Sequence, residues 1–171
     1  MSRINIIQPG GANGRLKEIY YQLETQRGQI AEVHKIHSLR PESIIKHMEL
    51  YMEIMFSKSE LTRAQREMIA VVVSFNNNCS YCAAHHGSAL QHYWKDEEKL
   101  KKLKTDYREV ELSNNERALC KYAEEVTLRH QNLAEVDPTI PLKEIGFSDG
   151  SILDVTLVVA YFNFVNSMVL S

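Results

Sequence analysis

An all-α fold, a single-domain helical bundle spanning residues 1–171, is what this sequence predicts, and three observations carry that reading. Apolar residues recur at three- and four-residue spacing along most of the chain, the signature of helices that bury one face. Two of the apolar stretches open on capping-box patterns, Thr62-Arg63-Ala64-Gln65 and Ser113-Asn114-Asn115-Glu116, in which the first and fourth side chains satisfy each other's backbone N–H groups. Val71 to Val73 is the one place where a strand competes, and the caps and length around it favour a helix. A chain of 171 residues is most often one domain, able to bury roughly two-thirds of its unfolded surface. There is no internal repeat and no dividing linker.

The elements follow in order. Residues 1–14, with Gly10-Gly11-Ala12-Asn13-Gly14, read as a flexible lead-in. Leu16, Ile19, Tyr20 and Leu23 form the buried face of the first helix, which Gly28 ends. Pro41 suits the first turn of the next, whose apolar face is Ile44, Ile45, Met48, Tyr51, Met52 and Met55. The helix opened by Thr62 runs through Met68, Ile69, Val72 and Val73 until Asn76-Asn77-Asn78, whose side chains compete for backbone hydrogen bonds and favour a turn. Another begins at about Cys79 and runs towards Trp94. Ser113 introduces Ala118, Leu119, Tyr122, Ala123 and Val126; Asp137-Pro138 starts a short helix that Gly146 ends; Ser148 caps the last.

Composition removes several function classes. The formal charge is −2 with acidic and basic residues mixed, so no basic face points to nucleic acid or to an anionic membrane. The run Lys99, Lys101, Lys102 and Lys104 follows Asp96, Glu97 and Glu98 and reads as a solvated helix surface. No secretory signal is read at Met1-Ser2-Arg3-Ile4-Asn5. Ile152 to Leu170 is nearly all apolar, yet Asp154, Thr156, Asn163, Asn166 and Ser167 interrupt it, which favours a buried helix, packed on its own core and on a second subunit, over a membrane span. Three cysteines fit a reducing cytoplasm, where a Cys-x-x-Cys pair is catalytic or metal-binding more often than structural.

The chemistry concentrates in Asn78-Cys79-Ser80-Tyr81-Cys82-Ala83-Ala84-His85-His86, with Glu67 twelve residues ahead of the first thiol. Two thiols one helical turn apart can close a disulfide, and a histidine one turn further can take a proton. Cys79 in the first turn would face the positive end of the helix dipole, which lowers a thiol's pKa. His86 lies about 6 Å along the axis from Cys82 and about 10 Å from Cys79, so the imidazole serves Cys82 directly. Glu67 either orients His86 or passes a proton through water to the first thiol. Against this stand two inert buried thiols, and a zinc site, which needs four ligands where one helix offers three strung along its axis. His85, about 100° round the helix from His86, reads as structural, Tyr81 as surface or pocket wall, and Cys120 as core. His34, His92 and His130 have no evident partner.

The spacing Glu67-x11-Cys79-x-x-Cys82-x3-His86 resembles the core motif of the alkylhydroperoxidase D-like family, part of the carboxymuconolactone decarboxylase superfamily. The likeness extends to His37-Ser38-Leu39-Arg40-Pro41, His47 through Tyr51, Leu61 to Ser74, Ser113 through Thr127 and Tyr161-Phe162-Asn163-Phe164-Val165-Asn166. These look like the peroxidase-related branch, over nearly the whole chain from Val33 onward. The resemblance implies that Cys82 attacks a hydrogen or organic peroxide and becomes a sulfenic acid, that Cys79 resolves it to an intramolecular disulfide, and that Glu67 and His86 form the proton relay. Tyr81, His85 and His47 take supporting places. It implies a thiol or dithiol electron donor, a lipoyl-bearing or thioredoxin-like protein among them, no cofactor or metal, and a homo-oligomer, trimer or hexamer. Tyr81 stands where the best-known members carry a second histidine, and tyrosine is no base at neutral pH. The same thiols suit a protein disulfide reductase or redox sensor, and the fold is shared with carboxymuconolactone decarboxylases, whose reaction needs no thiol pair. Removing His86 is expected to slow the reaction most; Glu67→Gln, which leaves the imidazole in place, less.

Overall fold

The computed structural model describes residues 3–129 and 136–171, and every element longer than a single turn is an α-helix; no strand occurs among the described residues. By its internal contacts the chain forms two compact units, Met1–Glu53 with Ser167–Ser171, and Ile54–Asn166.

The first unit holds a 3-10 turn at Pro9–Gly11, then α1 (Gly14–Arg27), α2 (Glu32–Ile36) and most of α3 (Pro41–Phe56). Leu16, Ile19, Tyr20 and Leu23 of α1 close on Ile44 of α3, with Ile7, Ala12 and Met48 packed around them. This is the face expected from the spacing. α1 stops where Gly28 adopts φ 74°, a left-handed conformation that costs glycine little. The lead-in is tied down: Ile7 N–H donates to Ser38 Oγ at 2.9 Å and the Ile7 carbonyl accepts from the Tyr20 hydroxyl at 2.9 Å. α2 is an element that the pattern did not foretell, five residues too short to show a period.

The second unit is built on α4 (Arg63–Asn76), packed between α5 (Ser80–Trp94) and α7 (Asn114–Arg129). Arg66 through Ser74 are all buried, so α4 is the central rod and Val71 to Val73 are helical. Its start is the capping box read from the sequence: Gln65 N–H donates to Thr62 Oγ1 and Thr62 N–H to Gln65 Oε1. Arg63 and Arg66 reach back from its first turn to the carbonyls of Met55 (2.6 Å), Ile54 (3.0 Å) and Ser57 (2.8 Å), satisfying groups that the end of α3 leaves without helical partners. α6 (Glu97–Leu103) carries the lysine run behind an Asp96 cap, and Ser113 and Glu116 close the second capping box ahead of α7. α8 (Ile140–Glu144) starts two residues later than predicted, because Asp137 and Thr139 first form a local turn.

α9 (Asp149–Val169) begins as expected with Ser148 accepting from Ser151 N–H at 3.1 Å. By length and composition it is the one helix among the described residues able to cross a membrane. Its polar side chains are nonetheless spent inside the fold. Asn163 accepts from Asn77 at 2.8 Å, Asn166 from Ser74 at 3.3 Å, and Thr156 pairs with Tyr122 at 2.6 Å. Leu153, Leu157 and Phe164, four and seven residues apart and so on one face, remain exposed.

Candidate functional site

Glu67 is fully buried on α4. A bare carboxylate there would be prohibitively costly, so both of its oxygens are engaged. Oε1 accepts from Arg63 Nη2 at 2.5 Å and Oε2 from His86 Nδ1 at 2.7 Å. Arg63 is placed by helical spacing, four residues ahead on the same face, and its guanidinium also lies 3.8 Å over the Phe56 ring. The donors on Glu67 fix the imidazole: with the carboxylate ionised, Nδ1 carries the proton and Nε2 holds the lone pair. Phe162 of α9 packs edge-on against the His86 ring, centroids 4.4 Å apart, and His85 stands at 5.0 Å. Neither Arg63 nor Phe162 was given a place at the site from the sequence; the i,i+4 relation of Arg63 to Glu67 was the available signal, and for Phe162 only its place in the Tyr161-to-Asn166 stretch that carries the resemblance.

The thiols are presented by the turn between α4 and α5. Asn78 takes φ 55°, a conformation that asparagine tolerates better than most residues. Cys79 then caps α5, its N–H bonded to Ser74 O at 2.9 Å and its carbonyl accepting from Ala83 N–H at 3.0 Å. Cys82 lies one turn on, and Cys79 Sγ donates to Cys82 Sγ at 2.9 Å. Both residues are buried. Burial pushes the Cys82 thiol up, and the adjacent Cys79 adds to it. Cys79, with Ser74, Phe75, Asn78, Ala83 and Lys104, lines an open cleft of about 370 Å³.

The structure thus gathers the predicted residues as two pairs, Glu67 with His86 and Cys79 with Cys82. Among the described residues the hydrogen bond of His86 goes to Glu67 and not to Cys82, so the expected direct contact with the thiol is not made; helical spacing gives rise along the axis but not the rotamer, which the carboxylate sets. Of the two expected roles for Glu67, orienting the imidazole is the one its geometry fills. Tyr81 and His85 stack on each other, 6.4 Å between centroids, on the exposed side of α5. His47 belongs to the first unit, where its ring neighbours are His37 at 5.0 Å and His34 at 5.9 Å; burial first, and then those histidines, push it down to about 3. Cys120 is wholly buried in the core, and its thiol is pushed up by that burial. His92 packs against Tyr93, and His130 lies outside the described residues. Among those residues no three His, Cys, Asp or Glu side chains are arranged to hold a metal ion.

Comparison with known proteins agrees with this architecture. The model of the carboxymuconolactone decarboxylase family matches residues 44–125, which include Glu67, both thiols of the pair and His86. A peroxidase-related protein from Ralstonia eutropha JMP134, described as an alkylhydroperoxidase core, is 24% identical, with 97% of this chain and 87% of that one superposed at a TM-score of 0.81. An uncharacterised peroxidase-related protein from Silicibacter sp. TM1040 is 26% identical over 97% and 90% of the two chains at 0.80. A debrominase in its apo form, at 16% identity, covers 98% and 88% at 0.70. Among curated proteins none matches this chain. The motif and the helical architecture agree with the family match: over residues 44–125 the chain is similar to the carboxymuconolactone decarboxylase family, and its fold is that of the peroxidase-related proteins.

Proposed function

We propose that this protein is a thiol-dependent peroxidase that reduces hydrogen or organic peroxides through a Cys79–Cys82 disulfide. One observation carries the reading: two hydrogen-bonded thiols share a helix with a histidine whose tautomer is set by a buried carboxylate. In the first step a proton leaves the thiol pair for His86 Nε2, and the Cys82 thiolate attacks the peroxide. The O–O bond breaks, Cys82 becomes a sulfenic acid, and the alkoxide or hydroxide takes up a proton and leaves. Cys79 then attacks the sulfenic sulfur; the S–O bond breaks, water leaves, and the disulfide closes within one chain. A thiol or dithiol donor restores the pair. The cytoplasm, where such donors are abundant, is the setting proposed.

The exposed face of Leu153, Leu157 and Phe164 on α9 supports a homo-oligomer, since an apolar stripe of this kind is normally covered by a partner; the trimer or hexamer is the assembly proposed. A second reading, protein disulfide reductase, has one observation in its favour: Cys79 faces the open cleft, where a partner's sulfur would enter. The test is peroxide consumption with dithiothreitol as donor, comparing wild type with Cys82→Ser. Turnover lost in the variant is the expected result. Wild type that consumes no peroxide yet reduces a protein disulfide would replace the first reading with the second.

A further inference from the structure

Lys104 stands at the thiol cleft in a way that the peroxidase scheme does not use. Its side chain lies across α5 at Gly87: a Cβ placed there would stand 2.4 Å from Lys104 Cε and 2.6 Å from Nζ. The ammonium can occupy this position only because residue 87 has no side chain. Lys104 lines the cleft that holds Cys79, and the other residues lining it, among them Ser74, Phe75, Asn78 and Ala83, are uncharged; Lys104 also lines a second cleft, with Glu97 and Lys101. The lysine ion pairs among the described residues are made by Lys35, Lys46 and Lys121; Lys104 takes part in none.

A lysine that lines an otherwise neutral cleft and makes no ion pair among the described residues is complementary to an anion brought by the ligand. Of the two sulfurs, Cys79 is the one that lines this cleft, so it is the sulfur an incoming donor meets once the disulfide has formed. We infer that Lys104 is a specificity residue for the electron donor, and that the donor is a thiol carrying a carboxylate close to its sulfur. This rests on the redox reading of the Cys79–Cys82 pair. The step is a thiol exchange: the donor thiolate bonds to Cys79 Sγ, the Cys79–Cys82 bond breaks and Cys82 leaves as thiolate. A second donor thiolate then attacks the donor sulfur and releases Cys79, so that two donor thiols become one disulfide while the protein pair gains two electrons and takes up the donors' two protons.

The experiment compares an anionic donor, 3-mercaptopropionate, with a neutral one, 2-mercaptoethanol, in reducing protein whose disulfide has been formed with diamide. In Lys104→Met the rate for mercaptopropionate should fall roughly fivefold relative to that for mercaptoethanol, about what an ion pair at a partly exposed site supplies. In wild type, added salt should erase the same preference. Gly87→Ala, which pushes the lysine aside while retaining it, should act in the same direction. An equal loss with both donors, or none with either, overturns the inference. Because diamide needs no peroxide chemistry, failure of peroxide turnover stays separate from failure here. Alkylation of reduced Cys79 measures the cation separately: the iodoacetate-to-iodoacetamide rate ratio should fall by a similar factor in Lys104→Met, and an unchanged ratio overturns the inference, as does failure of diamide to form the disulfide.

Discussion

Glu67 Oε2 and His86 Nδ1 lie 2.7 Å apart inside the protein, while the other oxygen of the same carboxylate is held by Arg63. This arrangement changes what a conservative substitution should do. Glutamine at residue 67 has one acceptor in place of two, and Arg63, which can only donate, takes it. The amide NH2 then faces His86 and selects the tautomer with Nδ1 bare and Nε2 protonated, which is no base. Glu67→Gln should therefore slow peroxide reduction by about 10² to 10⁴, as removal of a general base does, and come close to His86→Ala. The sequence alone suggested a milder effect. Stopped-flow rates with a saturating donor decide between them, and a Glu67→Gln loss below about threefold would show that the carboxylate does not set the tautomer.

The two thiols should separate by role. Cys79→Ser should react once with peroxide and stop as a sulfenic acid, detectable by dimedone adduct mass or by over-oxidation, because nothing remains to resolve it. Cys82→Ser should scarcely react. The opposite pattern would make Cys79 the attacking sulfur, the assignment that its place at the helix start and at the cleft favours.

Arg63→Met leaves a fully buried carboxylate with one donor in place of two and removes the donor on Met55 O. Breaking a buried charge pair from one side typically costs about 3 kcal/mol, and urea unfolding should show a loss of that order. Adding Glu67→Leu should recover most of the stability and none of the activity. A double variant no more stable than the single would mean that Arg63 acts mainly through α3.

Much of this was legible in advance, for reasons that differ by residue. Thr62 and Ser113 announce helix starts because capping is local chemistry, readable within four residues. Leu16, Ile19, Tyr20 and Leu23 announce a face because burial follows the helical period. Cys79, Cys82, His86 and Glu67 were legible as a motif, with Glu67 beside His86 and the two thiols together; that His86 makes its hydrogen bond to Glu67 and none to Cys82 was not, since the rotamer of His86 depends on a carboxylate from another helix. Phe162, seventy-six residues beyond His86 in the chain, and Lys104 over Gly87 are tertiary contacts with no local signature. His47 fitted the resemblance by position, and its side chain belongs to a different cluster.

That cluster predicts a pH dependence of stability. His47 is pushed down to about 3 from the usual 6.5, and burial lowers His37 as well. Below about pH 6.5 the unfolded chain binds protons that the folded chain refuses, so the stability these buried neutral histidines allow is complete above that pH. It falls as the pH drops towards 3, by up to about 1.4 kcal/mol per pH unit for each histidine. The groups facing His47 are His34, His37 and Arg27, all of which oppose a positive charge there. His47→Asn should flatten the dependence of the urea midpoint between pH 7 and pH 4.5; an unchanged slope would remove His47 from the account.

The central claim is that Cys79 and Cys82 form one redox pair that peroxide oxidises inside a single chain. The measurement that reaches it most directly is peptide mass spectrometry of reduced protein given one equivalent of peroxide, quenched by alkylation. The account predicts loss of two thiols per chain, a Cys79–Cys82 disulfide and an unreacted Cys120. Both thiols still free, or Cys120 found as a partner, would contradict it.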